Sequence, residues 1–180
     1  MGEAAYQTLV AAAHELALAP GEWPRVLHLL RRAFNCHYAA VITTTPDRNA
    51  PRSLGAVGIT ADDHSEFLRA WHKHSVYGSR CPARRAGAIV VGHDMVPKAE
   101  LVRCDMYRAY LAPRAIQETV RLDVFCESDR SLGITLARPW SSGPYTHQEL
   151  QFARSVMPHL QHAATVQCGS ETQRLWHGWR

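Results

Sequence analysis

The sequence lacks the features that mark membrane-spanning and secreted proteins. No stretch of the 180 residues approaches the roughly 18 to 20 consecutive apolar residues of a transmembrane helix. The N-terminus carries Glu3 where a signal peptide would carry positive charge. We therefore expect a cytoplasmic protein without membrane contact.

Disulfide frameworks, zinc sites and common catalytic motifs are also missing. The five cysteines show no CxxC spacing, and their odd number favours reduced thiols over disulfides or a structural zinc site. No GxSxG, HExxH, phosphate-binding loop or GxGxxG segment opening a helix is present. The sequence thus predicts no metal, no cofactor and no catalytic residue, although catalytic groups can also gather from distant positions.

The charge pattern argues against a DNA-binding surface. The formal net charge of +4 is mild, and the basic residues are spread along the chain. DNA-binding domains usually concentrate Lys and Arg on one face or in one arm. We therefore expect no specific DNA binding by this chain alone.

Short runs with strand periodicity predict a β-sheet in the middle of the sequence. Apolar or β-branched residues alternate or cluster at 37–45, 53–59, 88–91, 120–126 and 132–136. The last two runs predict a hairpin with one buried face, joined by a turn at 127–130. Hairpins without regular strand-helix-strand alternation indicate an antiparallel sheet of about five strands with helices packed around it, an α+β fold.

Helical spacing predicts the elements around this sheet. Apolar residues recur every three or four positions over 4–17 and 22–34, and again over 61–74 and 98–112. A long C-terminal helix is predicted to begin near Thr146, because Thr146 and Glu149 have the spacing of a capping box.

Four segments, taken in order, are similar to one family of sensory domains. EWPRVLHLLRRAF, SEFLRAWHKHSVYGSRCP, GHDMVPKAELVRCDMYRAYLAP and LARPWSSGPYTHQELQFARSVMPHLQHAATV resemble the N-terminal sensory region of certain LuxR-type helix-turn-helix regulators. The most specific element is the PHL segment. The resemblance covers roughly residues 20 to 168. It implies a GAF- or PAS-like fold, with a single sensor domain over residues 1–168 and a C-terminal tail over 169–180.

The sequence departs from the family pattern in three places. Cys81-Pro82 stands where the family's aspartate-proline pair is expected, and His162 stands where an arginine follows PHL. Family members continue into a DNA-binding helix-turn-helix, whereas GSETQRLWHGWR ends this sequence without a second apolar helix pair. The resemblance thus implies either an excised sensor domain or a stand-alone relative without a DNA-reading module.

Five aromatic residues are the candidate ligand-binding residues. They lie on the helices and loop that a GAF- or PAS-like fold lays over its sheet, where small ligands are enclosed: Phe67, Trp71, Tyr77, Tyr107 and Tyr110. Aromatic rings supply apolar walls, and their polar tips orient a ligand. Ordinary core packing is the alternative for each of them.

Two histidine pairs are weaker candidates, for metal binding. His159 and His162 are three residues apart and share one face of the terminal helix, in which Pro158 is expected to produce a kink. His72 and His74 come together only if their helix ends there. Two nitrogens are an incomplete ligand set, so solvated or helix-capping histidines are the preferred interpretation.

Two cysteine segments suggest other chemistry. An exposed Cys81-Pro82 pair could supply a thiolate to haem iron, but a two-residue match is common by chance. Cys36 and His37 are adjacent, and adjacent side chains on a strand point to opposite faces, which is poor geometry for a catalytic dyad.

The sequence therefore favours a non-catalytic small-molecule sensor in which ligand binding shifts the packing of the terminal helix. We expect a homodimer formed through one or both of the apolar stripes of 4–17 and 147–167, since a sensor that controls a paired DNA reader usually needs a two-fold partner. Two alternatives stay open. One is an enzyme that uses Cys or His chemistry in the same pocket, and the other is a dimerisation module whose pocket is filled by its own side chains.

Overall fold

A five-stranded antiparallel sheet lies at the centre of the fold. The computed structural model describes residues 2–44, 51–77, 84–127 and 130–169. The strands are β1 (Tyr38–Thr44), β2 (Arg52–Val57), β3 (Ile89–Val91), β4 (Glu118–Cys126) and β5 (Ser131–Arg138). Their spatial order is β2-β1-β5-β4-β3, and each pair is antiparallel. The predicted α+β class with about five strands is confirmed.

Helical segments pack around both faces of this sheet, and the α-helices with bounds inside the described residues are six. They are α1 (Glu3–Leu18), α2 (Trp23–Ala33), α3 (Ala61–Glu66), α4 (Gly92–Met95), α5 (Lys98–Leu101) and α6 (His147–Gly169). The long helices α1, α2 and α6 form the main core with one face of the sheet. Alternate strand positions supply the sheet side of this core, with Val120 and Leu122 on β4 and Ile134 and Leu136 on β5.

A buried arginine fixes the first turn of α6 to the end of β5. The Arg138 side chain, 3% exposed, donates to both carboxylate oxygens of Glu149, at 2.6 and 3.1 Å. It also donates to the carbonyl oxygens of Phe34, Gly143 and Pro144. One side chain therefore joins α2, β5 and α6 at a single point.

The N-terminus of α6 has the capping box that the sequence predicted. The Glu149 backbone N–H donates to Thr146 Oγ1 at 3.2 Å, and the Thr146 N–H donates to Glu149 Oε2 at 2.7 Å. The helix then continues through Pro158 to Gly169. The proline therefore removes one hydrogen-bond donor without ending the helix.

The helices α1 and α6 pack against each other within the chain. Leu9 of α1 and Leu160 of α6 are buried in the same core. His159 also faces α1, where its Nε2 atom lies 3.2 Å from the Tyr6 hydroxyl, whereas His162 is exposed. The two apolar stripes that suggested a dimer thus cover each other, and the two histidines have different environments.

The other face of the sheet is covered by residues 61–77 and 92–112, which we call the cover layer. After α3 the chain forms a π-helical turn over Phe67–Trp71 and a 3-10 turn over His72–His74. After α5 a second π-helical turn spans Tyr107–Leu111. The helix predicted over 61–74 is present without interruption, although its winding changes from α to π to 3-10, whereas the helix predicted over 98–112 is interrupted at 102–104. Apolar spacing does not distinguish an α turn from a π turn, so the sequence pattern could not show this difference.

Because helical segments lie on both sides, the sheet has two buried faces. Every residue of β5 is buried except Thr135, which is half-buried. The prediction of one buried face for the β4–β5 hairpin is thus wrong. Polar residues of these strands, including Thr119 and Arg121, face the cover layer.

Some predicted features fall outside the described residues. These are most of the turn between β1 and β2, the Cys81-Pro82 pair, and positions 170–180 of the tail. The predicted turn between β4 and β5 is closed by a hydrogen bond from the Glu127 N–H to the Arg130 carbonyl at 2.8 Å. No helix in the described parts of the chain combines the length and apolar content that a bilayer crossing needs.

Candidate ligand-binding cavity

A cavity of about 240 Å³ lies between the sheet and the cover layer. Its apolar walls come from both layers, and its size is slightly below the roughly 300–1,000 Å³ of most small-molecule sites. The apolar and aromatic lining residues are Tyr38, Ile42, Pro51, Phe67, Tyr77, Val90, Met95, Met106, Tyr110, Leu111 and Ile116. The polar ones are Thr44, His72, Ser75, Arg84, Thr119, Arg121 and Thr135.

Three of the five predicted site residues line this cavity, namely Phe67, Tyr77 and Tyr110. Trp71 and Tyr107 lie behind the wall. The Trp71 ring packs 6.3 Å from the Tyr110 ring, and its indole N–H donates to Glu66 Oε1 at 2.8 Å. The structure therefore places all five predicted residues in or against one hydrophobic cluster, but Trp71 and Tyr107 do not line the cavity.

Tyr107 belongs to a separate stack at the edge of the cover layer. Its ring lies 5.5 Å from the ring of Trp140 at an interplanar angle of 25°. Gln117 joins the two residues, because its Nε2 donates to the Tyr107 hydroxyl and its Oε1 accepts from the Trp140 backbone N–H. Tyr107 thus links the second π-helical turn to the segment that leads into α6.

Arg114 holds the two halves of the cover layer together. Its guanidinium donates to Asp63 Oδ1, to Glu66 Oε2 at 2.8 Å and to the Tyr110 carbonyl at 3.1 Å, and it lies 4.2 Å from the Tyr110 ring centre. Hydrogen bonds from Thr60 and Arg114 lower the pKa of Asp63. This carboxylate therefore stays charged near neutral pH, and its ion pair with Arg114 fixes the position of the Tyr110 ring.

The tyrosine hydroxyls at the cavity are neutral hydrogen-bonding groups. Burial raises the pKa of both Tyr77 and Tyr110 to about 12. The Tyr110 hydroxyl donates to the Asp63 carbonyl at 2.9 Å. Both side chains therefore keep their protons in the physiological range and are suited to orienting a ligand without carrying charge.

A cluster of hydrogen-bonded polar side chains lies at one end of the sheet surface below the cavity. Arg84 Nη1 donates to Ser131 Oγ at 2.8 Å, and Ser131 Oγ lies 2.6 Å from Thr44 Oγ1. On β4, Arg121 makes two hydrogen bonds to the buried Asp123 carboxylate, at 2.8 and 3.0 Å. The sequence did not predict this cluster, because polar residues that alternate with apolar ones usually face solvent. The helices predicted for both sides of the sheet were the signal that these positions are covered.

The remaining chemical candidates differ in their surroundings. His72 lines the cavity, and its Nδ1 atom is buried without a hydrogen-bond partner among the described residues. Cys36 is buried, and burial raises its pKa to about 11, which leaves the thiol protonated and weakly nucleophilic. Its neighbour His37 places Nε2 2.9 Å from the Arg114 carbonyl oxygen. These contacts do not form a catalytic dyad.

Comparison with known proteins gives structural but not sequence matches. No protein-family sequence model and no curated protein sequence matches the chain. The VqsR LBD domain from Pseudomonas aeruginosa superposes with a TM-score of 0.70 at 14% identity, covering 92% of this chain and 99% of that one. CepR2 from Burkholderia cenocepacia, an N-acylhomoserine lactone-dependent LuxR family transcription factor, gives a TM-score of 0.59 at 9% identity, covering 97% and 99%.

A GAF domain shows the same architecture. The GAF3 domain of Slr1393 from Synechocystis superposes with a TM-score of 0.55 at 14% identity, covering 93% of this chain and 99% of that one. Likeness at such low identity concerns the fold. The chain thus has the fold that GAF domains share with LuxR-type sensory regions, and the fold implied by the sequence resemblance is confirmed.

Proposed function

We propose that this chain is a small-molecule-binding sensory domain that acts in transcription regulation in the cytoplasm. The observation that carries the proposal is the cavity of about 240 Å³ between the sheet and a cover layer of two π-helical turns. π-Helical turns are rare and occur frequently at functional sites. Both turns place aromatic residues toward this space or directly behind it.

Ligand contact is proposed for Phe67, Tyr77 and Tyr110, which line the cavity. Trp71 and Tyr107 would act indirectly by holding the aromatic wall in position. A ligand that fits one arrangement of the cover layer better than another would shift the population toward that arrangement. The Tyr107–Trp140 stack would pass the shift to the start of α6.

Thermal shift against a metabolite library tests the proposal. A ligand at a hundredfold excess over its dissociation constant stabilises the folded state by about 2.7 kcal/mol, which corresponds to roughly 5–11 °C for a protein of this size. Library members that raise the melting temperature should lose their effect in a variant whose cavity is filled. A library without any stabilising compound would contradict the proposal.

Gly133→Val is the matched cavity-filling variant. A Cβ atom at Gly133 would meet its nearest neighbours, Asp123 Oδ1 and Leu122 O, at 3.6 Å, which is ordinary contact, so the strand should tolerate a side chain there. Gly133 lines the cavity, so valine, which fits strand geometry, would project into it. Gly133→Ala removes less space and should keep part of the ligand response. Equal ligand response in the native and valine proteins would place the binding site elsewhere.

Homodimer formation is retained in the proposal, but not through the predicted stripes. Those stripes pack against each other in one chain, so a dimer would use other surfaces of α1, α6 or the sheet edge. Sedimentation equilibrium at high micromolar concentration measures the mass. A species of 20.1 kDa, the mass of one chain, would contradict the dimer.

A further inference from the structure

We propose that the ligand of this cavity is a small carboxylic acid with an aromatic or short alkyl body, bound through its carboxylate by Arg84. This inference rests on the proposed function and names its ligand class. The ionisable side chains that line the cavity are basic or neutral at physiological pH. Among the described lining residues, Arg84 and Arg121 carry the formal charges, and no carboxylate is present.

The two arginines have different partners, and this difference selects Arg84. Arg121 is 14% exposed and faces the Asp123 carboxylate, which is 2% exposed, through two hydrogen bonds. Its charge is therefore balanced within the sheet. Arg84 donates instead to the neutral hydroxyl of Ser131, at 2.8 Å. Among the described residues, this end of the cavity thus has one more positive charge than negative charge, and the excess lies at Arg84.

The surroundings of Arg84 both orient it and leave space beside it. Ser131 Oγ is itself 2.6 Å from Thr44 Oγ1, so a chain of hydroxyl groups holds one edge of the guanidinium. Gly133 lies next to it, and a Cβ atom there would come 3.7 Å from Arg84 Nη1 and 3.6 Å from Asp123 Oδ1. The missing side chain leaves space at the guanidinium, and because the Asp123 carboxylate borders this space, a ligand carboxylate would bind the guanidinium edge that faces away from Asp123. The planar fork of the guanidinium matches a carboxylate in two parallel hydrogen bonds.

The apolar walls define the rest of the ligand. His72 also lines the cavity and adds a polar side chain to it. Phe67, Met106 and Leu111 supply apolar surface for the body of the molecule. A volume of about 240 Å³ suits a single ring or a short chain more than a long acyl chain.

Two acid–amide pairs test this inference by isothermal titration calorimetry at pH 7: 3-phenylpropanoic acid with 3-phenylpropanamide, and octanoic acid with octanamide. The members of each pair have nearly the same size and differ in charge. We expect at least one acid to bind about tenfold more tightly than its amide, since a hydrogen-bonded charge pair at an exposed arginine lies at the low end of such interactions. Added salt should weaken the acid and leave the amide unchanged.

Arg84→Met and Arg85→Met form the matched variants. Arg84 is exposed, so its loss should not unfold the protein, and Arg85 is an exposed neighbour that does not line the cavity. Arg84→Met should remove the acid preference and keep the amide affinity, while Arg85→Met should leave both unchanged. Equal affinity of acid and amide, or an acid preference that survives in Arg84→Met, overturns the inference.

The outcomes also separate this inference from the proposed function. If neither acid binds while neutral compounds from the metabolite library bind in a way that Gly133→Val abolishes, the acid inference is wrong and the sensory function stands. If no compound of either kind binds, both are wrong.

Discussion

Replacement of Arg138 by methionine should destabilise the fold more than the same replacement of any other arginine in the sheet. The variant removes a side chain that is 3% exposed and that makes two hydrogen bonds to Glu149 and one each to three backbone carbonyls. Methionine has a similar length, so the apolar stem of the side chain is kept. The change therefore reports on the polar contacts.

The expected loss of stability follows from the groups that lose their partner in Arg138→Met. Glu149 is 15% exposed and would lose its cation, and breaking a buried ion pair by removing one partner costs about 3–5 kcal/mol. The hydrogen bonds from Thr146 to Glu149 remain and limit the cost. A loss of about 3–5 kcal/mol is a large part of the roughly 5–15 kcal/mol by which domains are stable.

Urea unfolding measures this free energy, with Arg154→Met on the exposed face of α6 as the control. The control should change the free energy of unfolding by less than about 0.5 kcal/mol. A loss of under 1 kcal/mol in Arg138→Met would refute the reasoning, because it would mean that water replaces the lost hydrogen bonds at little cost.

The dependence on pH gives an independent check. Burial alone would raise the pKa of Glu149, but hydrogen bonds from Arg138 and Thr146 outweigh it and leave this pKa below its ordinary value. A carboxyl with a lowered folded-state pKa contributes stability that is present above its unfolded pKa and lost as pH falls through the folded one. The difference between the native protein and Arg138→Met should therefore shrink below about pH 4.5. A difference that stays constant down to pH 3 would contradict the role of Glu149.

Three further predictions follow from the other contacts. Arg114→Met should lower the melting temperature and speed hydrogen exchange of cover-layer residues 61–71 more than that of the strands, whereas Arg108→Met, in an exposed ion pair, should do neither. Cys36 should resist iodoacetamide at pH 8 in the folded protein, since burial raises its pKa to about 11; rapid labelling mapped by mass spectrometry would contradict this. Residues 1–180 should bind duplex DNA only weakly and without sequence preference in gel-shift titrations at physiological salt, and a nanomolar specific complex would contradict this.

The parts of the fold that the sequence predicted well depend on local patterns. Strand alternation around Val120 and Ile134 and the capping box at Thr146 are each specified by residues within a few positions of one another. The role of Arg138 could not be predicted in this way. An arginine at the end of a strand usually faces solvent, and only the meeting of α2, β5 and α6 turns it into a buried anchor.

The sequence predicted aromatic residues of the candidate site but not its polar residues, because sequence patterns show which residues avoid water and not which polar residues are covered. Phe67, Tyr77 and Tyr110 are large apolar residues on elements expected above a sheet, so their inward direction could be inferred. Arg121 and Asp123 read as the solvent side of an amphipathic strand, because alternation shows that two faces differ but not that the polar face is covered. The cover layer decides that question, and its π-helical turns have no sequence signature of their own.

The strands that fill the core also form the floor of the cavity, but the shared sheet is not the route by which a ligand would affect α6. On β4, Val120 and Leu122 pack under the long helices while Thr119 and Arg121 point to the cavity. These strands are held rigid by pairing on both sides, so they transmit little movement. The edge of the cover layer offers a shorter route, in which the second π-helical turn contacts Trp140 and the chain then reaches the Arg138–Glu149 pair. A ligand that reorients this turn should therefore alter the first turn of α6 while the helix pair α1–α6 stays packed.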